Sequence, residues 1–179
     1  MSLKKQPLKF SSPAFLLATL FGLGKIPIMP GTFGSLVAAA EFTIYVKLFN
    51  LTLISAYLIH IALFVCLGTL ATYFYCKDNS NQDPSEVIID EYIGQYITQI
   101  LCFIYCSFFI HNLATSYYLI IISFVFFRVF DITKPSLIGY CDKNVKGAIG
   151  VILDDIVAAI AAAICTIAFL SLINIFFYA

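Results

Sequence analysis

The sequence predicts an all-α membrane protein, a single domain over residues 1–179 built as a bundle of about five spanning helices. Of the 179 residues, 61% are hydrophobic and only 11% are charged, whereas a soluble domain carries roughly 25% charged residues. So few charges cannot cover a water-facing surface, but a lipid-facing surface needs none. The apolar residues also form runs close to the ~20 residues that cross a bilayer, and the basic residues collect on one side of these runs.

The first half of the chain predicts one short segment and two spans. Residues 14–24 are apolar, but glycines and prolines follow at 22–31. Such a short run favours an interfacial or re-entrant segment over a span. Residues 34–50 form a plausible first span despite the embedded Glu41, and residues 53–75 form the second.

The second half predicts three further spans. Residues 88–110 are apolar after an acidic start, and residues 113–130 form a run closed by Arg128 and Asp131. Residues 152–178 make a long final span that is acidic at its beginning. These three bring the count to five.

The basic residues orient the bundle. With the N-terminus in the cytoplasm, the inner segments are 1–33, 76–87 and 131–151. Nine of the ten basic residues then lie in or beside these segments: Lys4, Lys5, Lys9, Lys25, Lys77, Arg128, Lys134, Lys143 and Lys146. Because cytoplasmic segments carry an excess of Lys and Arg, we expect the charged face to be cytoplasmic.

The acidic residues share this face. They are Asp78, Asp83, Glu86, Asp90, Glu91, Asp131, Asp142, Asp154 and Asp155. Only Glu41 lies deep in a span, where it is either a protonated packing residue or part of a site. The sequence therefore predicts one wet, charged face that three separate segments supply.

Two spans carry acids on faces that should point inward. Glu91 is followed at four-residue spacing by Gln95 and Gln99, and Asp90 by Gly94 and Thr98. Lipid cannot satisfy such groups, so the stripe should face the bundle interior. Asp154 and Asp155 precede a run of alanines at 158–163. Small residues let helices approach closely, which would bring the two acidic pairs together.

Two further segments suit an anion. Gly31, Thr32 and Ser35 open the first span, where free backbone N–H groups bind anions, although a plain helix cap after Pro30 explains them equally well. Arg128 and Lys134 flank the end of the fourth span, where an interfacial salt-bridge belt is the alternative. Carboxylates suit Mg²⁺ and nearby cations suit phosphate, so the whole pattern indicates metal-assisted phosphate chemistry at the membrane surface.

Four sequence blocks resemble a known family. They are Pro30–Leu36 (PGTFGSL), Ile89–Gly94 (IDEYIG), Phe127–Pro135 (FRVFDITKP) and Gly150–Ala158 (GVILDDIVA), in this order. Together they resemble phosphatidylglycerophosphatase A, a Mg²⁺-dependent phosphatase of the bacterial inner membrane. The resemblance covers roughly residues 14–160. It implies a membrane lipid substrate, phosphatidylglycerophosphate, hydrolysed to phosphatidylglycerol and phosphate on the cytoplasmic side during glycerophospholipid synthesis.

The resemblance also implies roles for individual residues. The expected catalytic and metal-binding acids are Asp90, Glu91, Asp131, Asp154 and Asp155. The resemblance implies that Arg128 and Lys134 bind the phosphate and that Asn144 lies near it. Lys25 is expected to replace a basic residue that relatives carry just before Pro30, where this chain has Ile28 and Met29. Thr32 and Ser35 complete the expected phosphate-binding set because of their place at the helix N-terminus. Asp142 is expected near the site, and no nucleic-acid partner is expected.

Other mechanisms fit the sequence less well. His60 and His111 are predicted in or near the outer half, away from the acid clusters, so a phosphohistidine route lacks its nucleophile. A cysteine phosphatase needs Cys six positions before Arg, but residue 122 is Ile. What remains is water or an aspartate attacking beside Mg²⁺, and we favour water.

Other functions remain as alternatives. A phosphatidyltransferase would need an Ala-Arg element that the chain lacks. A cation-coupled transporter predicts internal repeats and acids near the midplane, neither of which is evident. A purely structural membrane subunit would not need so many paired acids.

Overall fold

The computed structural model describes residues 12–49, 54–78, 84–110 and 117–178. All regular structure in these ranges is helical. In chain order it comprises α1 (Pro13–Ala18), a 3₁₀ turn (Leu23–Lys25), α2 (Pro30–Phe49), α3 (Ile54–Asp78), α4 (Ile89–Phe109), α5 (Tyr117–Thr133), α6 (Leu137–Asn144) and α7 (Gly147–Tyr178).

The N-terminal apolar run forms a helix too short to span. Ser12 caps α1 by accepting a hydrogen bond from the Phe15 N–H at 3.2 Å, and Pro13 suits the first helical position. The six residues rise only about 9 Å. The carbonyl of Ala18 accepts from the Ile88 N–H at 2.9 Å, which ties this segment to the start of α4.

Three described helices are long and apolar enough to cross a membrane: Ile54–Lys77, Ile89–Phe109 and Gly147–Phe176. They indicate that the protein is membrane-associated. The predicted count of about five spans is not confirmed. Helix α2 is long enough but includes Glu41 and Lys47, and the 17 residues of α5 rise about 26 Å, short of a ~30 Å hydrocarbon core.

Two helices begin about a turn before the predicted spans, and these extensions affect the site. Helix α2 begins at Pro30 instead of residue 34, because proline fits the first turn of a helix. Helix α7 begins at Gly147 instead of residue 152. Asp154 and Asp155 consequently lie about two turns inside α7, and Thr32 and Ser35 lie in the first turns of α2.

Helix α4 is the centre of the bundle. It packs most extensively against α7 and α2, and also against α5 and α3. Its predicted polar stripe does face inward, with Gln95, Thr98 and Gln99 fully buried. The α7 alanines permit the close approach that their pattern predicted, because the Thr98 hydroxyl reaches the carbonyl oxygen of Ala159 at 3.4 Å.

Candidate active site

The charged ends of the helices enclose a cavity of about 800 Å³. It lies among the beginnings of α2, α4 and α7, the end of α5, and α6. Its charged lining residues are Asp90, Glu91, Arg128, Asp131, Lys134, Asp142, Lys146, Asp154 and Asp155. The structure therefore brings all five predicted acids into one space.

Three of these acids form what we call the carboxylate triad: Asp90, Glu91 and Asp155. One oxygen from each lies within 4.8 Å of the others. Asp90 and Glu91 occupy the first turn of α4, where the positive end of the helix dipole stabilises acids. Gly94 allows α5 and α7 to lie close, because a Cβ there would be 2.5 Å from the Phe127 ring and 3.1 Å from the Asp155 carbonyl oxygen.

The triad can hold a metal ion. Asp90 Oδ1, Glu91 Oε2 and Asp155 Oδ2 are buried and have no hydrogen-bond partner among the described residues. A buried charged oxygen without a partner is costly, and a cation held by the triad would offset that cost. Hard carboxylate oxygens suit Mg²⁺, whose octahedral ligands at 2.0–2.1 Å lie about 3–4 Å apart. The donor set therefore fits a hard divalent ion after small side-chain shifts.

The remaining two predicted acids are paired with cations. Asp131 Oδ2 accepts from Arg128 at 2.5 Å, and Asp154 Oδ2 accepts from Lys134 at 2.6 Å. Lys134 Nζ also donates to Asp142 at 2.5 Å. These carboxylates fix the two cations at the wall of the cavity.

Electrostatics keep Lys134 protonated. Burial alone would lower its pKa, but hydrogen bonds to Asp142 and Asp154 hold the pKa above its ordinary value. The same hydrogen bond from Lys134 holds the pKa of Asp142 below its ordinary value. A permanent positive charge therefore faces the cavity.

Helix α2 meets the site through its first turns. Ser35 Oγ donates to the Gly31 carbonyl at 3.2 Å and accepts from Arg128 at 3.4 Å. Gly31 permits the close approach of Glu91, since a Cβ on Gly31 would be 1.9 Å from Glu91 Oε1. Arg128 Nε is buried with no partner among the described residues, and is thus a donor available to an anion.

Four predicted phosphate-binding residues do not line the cavity. Ser35 is fully buried and reaches the site only through its contact with Arg128. Lys25 forms an ion pair with Glu86 at 2.7 Å. Asn144 is exposed at the end of α6 and donates to the Tyr140 carbonyl at 2.7 Å. Thr32 has a buried hydroxyl without a partner among the described residues, but it does not line the cavity.

Lys146 lines the cavity and was not among the predicted site residues. It directly precedes Gly147, which adopts a positive φ of 75° at the start of α7. The sequence placed Lys146 on the charged face only as one of several lysines. Its approach to the acids depends on the turn between α6 and α7, for which the sequence carried no specific signal.

A second polar cluster lies outside the cavity. The Tyr92 hydroxyl donates to Glu41 Oε2 at 2.6 Å and lies 2.8 Å from His60 Nε2. His60 Nε2 is also 3.4 Å from Glu41 Oε1. His60 is thus separate from the triad, as predicted, but it contacts the one acid that lies deep in a span. His111 lies outside the described residues.

Comparison with known proteins identifies the family. The family model described as phosphatidylglycerophosphatase A matches residues 16–170. The chain belongs to the phosphatidylglycerophosphatase A family. It is therefore a phosphatase. The match contains all four sequence blocks, and each block contributes at least one residue to the cavity wall.

Curated relatives agree with this assignment. Phosphatidylglycerophosphatase A of Escherichia coli is 36% identical over 160 residues, which are 89% of this chain and 84% of that protein. The Haemophilus influenzae protein of the same name is 34% identical over 92% of this chain and 95% of its own length. A Bacteroides thetaiotaomicron relative, provisionally named a phosphatidylinositol-3-phosphatase, is 32% identical over 83% and 89%. No solved structure matches the chain significantly.

Proposed function

We propose that the protein hydrolyses the terminal phosphate of phosphatidylglycerophosphate in a Mg²⁺-dependent reaction, producing phosphatidylglycerol and phosphate for glycerophospholipid synthesis. The observation that carries the proposal is the carboxylate triad beside three cations in one cavity of a family member. Two relatives that align with this chain over most of their length are named for this activity. The buried, unpartnered triad oxygens support the metal.

The residues divide the chemistry between them. Asp90, Glu91 and Asp155 would hold Mg²⁺, which supplies Lewis acidity and a more acidic bound water. Arg128, Lys134 and Lys146 bind the phosphate oxygens and stabilise the charge that develops on them. Asp131 and Asp154 orient two of these cations, and are positioning residues in this scheme.

Water is the proposed nucleophile. Its oxygen forms a bond to phosphorus while the bond from phosphorus to the glycerol oxygen breaks. A cavity carboxylate accepts the proton of the water, and that carboxyl group, directly or through solvent, gives a proton to the departing glycerol oxygen. The preorganised cations lower the barrier because they need not reorient as charge develops.

Phosphate release from a panel of lipids tests the activity. The panel is phosphatidylglycerophosphate, phosphatidate and phosphatidylinositol 3-phosphate, each with purified protein in Mg²⁺ or in excess chelator. We expect phosphatidylglycerophosphate to be the best substrate and chelation to abolish release. If phosphatidylinositol 3-phosphate is the preferred substrate, the protein has the activity for which the Bacteroides relative is named. Full activity in excess chelator would refute the metal requirement.

We also propose that α2 and α5 cross the membrane with α3, α4 and α7, and that the cavity opens to the cytoplasm of a bacterial inner membrane. The support is the positive-inside asymmetry of the basic residues. Cys141 of α6 tests the orientation. A membrane-impermeant thiol reagent should leave it unmodified in intact spheroplasts and modify it after lysis, as read by peptide mass spectrometry. Modification in intact spheroplasts would invert the orientation.

A further inference from the structure

Two apolar side chains at the cavity wall are unusually exposed. Met29, just before α2, and Ile132, in the last turn of α5, both line the cavity. Their exposures are 58% and 61%. Among the described residues, the other apolar side chains of the wall are at least partly covered. An otherwise charged cavity therefore has an apolar rim where α2 and α5 meet.

An apolar stripe on α5 or α2 leads to each rim residue. On α5, exposed Ile121, Val125 and Val129 lead to Ile132 at spacings of three to four residues. On α2, exposed Leu48, Ile44, Leu36 and Phe33 lead toward Met29, which directly precedes the helix, and exposed Ala40 lies between Ile44 and Leu36. Residues at this spacing share one helix face. A continuous apolar surface therefore runs from each helix to the cavity.

The backbone holds Met29 at the rim in an unfavourable conformation. Its φ is 49°, a region that a side chain with a Cβ seldom occupies. Its carbonyl accepts from the Thr32 N–H at 3.0 Å, which fixes it to the first turn of α2. Such strain persists where surrounding structure imposes it, and it clusters at ligand sites.

We infer that the acyl chains of the lipid substrate leave the cavity between Met29 and Ile132 and lie along the apolar stripes of α2 and α5. This inference rests on the proposed function, which places the phosphate deeper in the cavity. The arrangement matches the chemistry of such a lipid, because Arg128, Lys134 and Lys146 suit its anionic head and the rim suits its tails. The phosphate can thus reach the carboxylates while the chains stay in the bilayer.

Tryptophan at the rim tests the inference. Ile132→Trp should obstruct the chains, and Ile149→Trp is the matched control. Ile149 has a similar exposure of 66% at the same end of the bundle, but it does not line the cavity. The substrates are long-chain phosphatidylglycerophosphate in mixed micelles and a short-chain analogue that is monomeric in water.

The expected result is a selective loss. Each acyl-chain CH₂ group that loses its apolar contact weakens lipid binding by about fourfold. If Ile132→Trp removes two such contacts, kcat/KM for the long-chain lipid should decrease by at least about tenfold. The short-chain analogue should be hydrolysed at a nearly unchanged rate, and Ile149→Trp should resemble the unmodified protein on both. Equal losses on both substrates, or no loss on either, would overturn the inference.

Photolabelling tests the rim without relying on turnover. A long-chain lipid phosphate with a diazirine in its acyl chain, in vesicles with the unmodified protein, should label peptides containing Met29 and Ile132. Excess unlabelled long-chain phosphatidylglycerophosphate should displace this label, and Ile132→Trp should reduce it. Label that is not displaced would reflect bulk lipid and refute the rim site. If the label is displaced but the protein does not hydrolyse the lipid, only the proposed activity is refuted.

Discussion

The change Asp155→Asn removes one charge from the carboxylate triad and keeps the size of the side chain. The triad oxygens lie within 4.8 Å of one another. At an effective dielectric constant of about 20, two unit charges at that distance repel by about 3.5 kcal/mol. Without metal, this repulsion destabilises the ionised cluster and favours protonation of its members, whereas a divalent cation converts the repulsion into attraction.

Two opposite effects follow from this substitution. The metal-free Asn variant should unfold at a higher temperature than the unmodified protein, since two of the three repulsions are gone. Its stabilisation by Mg²⁺ should shrink, because one ligand has lost its charge. Phosphate release should decrease by about 10²–10³-fold, the typical effect of losing one preorganised electrostatic contact.

The assay pairs thermal unfolding in detergent, across a Mg²⁺ titration, with phosphate release. Glu86→Gln is the control, because Glu86 is an acid on the same face that pairs with Lys25 and does not line the cavity. It should keep both the Mg²⁺ response and the activity. An Asp155→Asn variant that matched this control in both measurements would refute the triad as a metal site.

Three further substitutions have distinct expected outcomes. Gly31→Ala places a Cβ 1.9 Å from Glu91 Oε1, so it should displace that carboxylate. Phosphate release should decrease by about tenfold or more, because a ~1 Å misplacement can cost up to 10²-fold. Unchanged release would show that Glu91 is not needed in this position. Lys134→Gln leaves the buried Asp154 carboxylate without its cation, which costs about 3 kcal/mol of folding free energy. Both the unfolding temperature and phosphate release should therefore decrease. An unaltered unfolding temperature would contradict the ion-pair argument. Glu41→Gln keeps a hydrogen-bond acceptor for the Tyr92 hydroxyl. Phosphate release should therefore change less than about twofold, which corresponds to a few tenths of a kcal/mol in the activation barrier. A large loss of activity would place Glu41 in the catalytic machinery.

The sequence predicted which acids converge, because polar residues in apolar helices must face inward. Glu91 and Gln95 lie on one side of α4 at four-residue spacing, and the alanines of α7 indicate a close helix contact. The helical repeat of 3.6 residues and the exclusion of polar side chains from lipid both act within one helix, so both can be recognised from the sequence alone. The convergence of Asp90, Glu91 and Asp155 followed from them.

The sequence did not predict how the charges pair. The sequence grouped five acids without indicating their partners, and the structure pairs Asp131 with Arg128 and Asp154 with Lys134. Lys25 was expected at the phosphate, yet Glu86 binds it instead. Such choices depend on ångström-scale distances between segments far apart in the chain. Lys146 lines the cavity because it directly precedes α7, whose start at Gly147 the apolar pattern alone did not indicate.

The position of α4 has a consequence for biogenesis. Its most apolar stretch is 67% buried, against 17% for α3, and it is the least apolar of the three candidate spans. Helix α4 packs chiefly against α2, which is made earlier, and α7, which is made later. During synthesis, α4 must therefore remain near the insertion machinery or expose its glutamines to lipid until α7 arrives. A chain truncated before α7 would display that stripe, a signal that membrane proteases could use to remove unfinished copies.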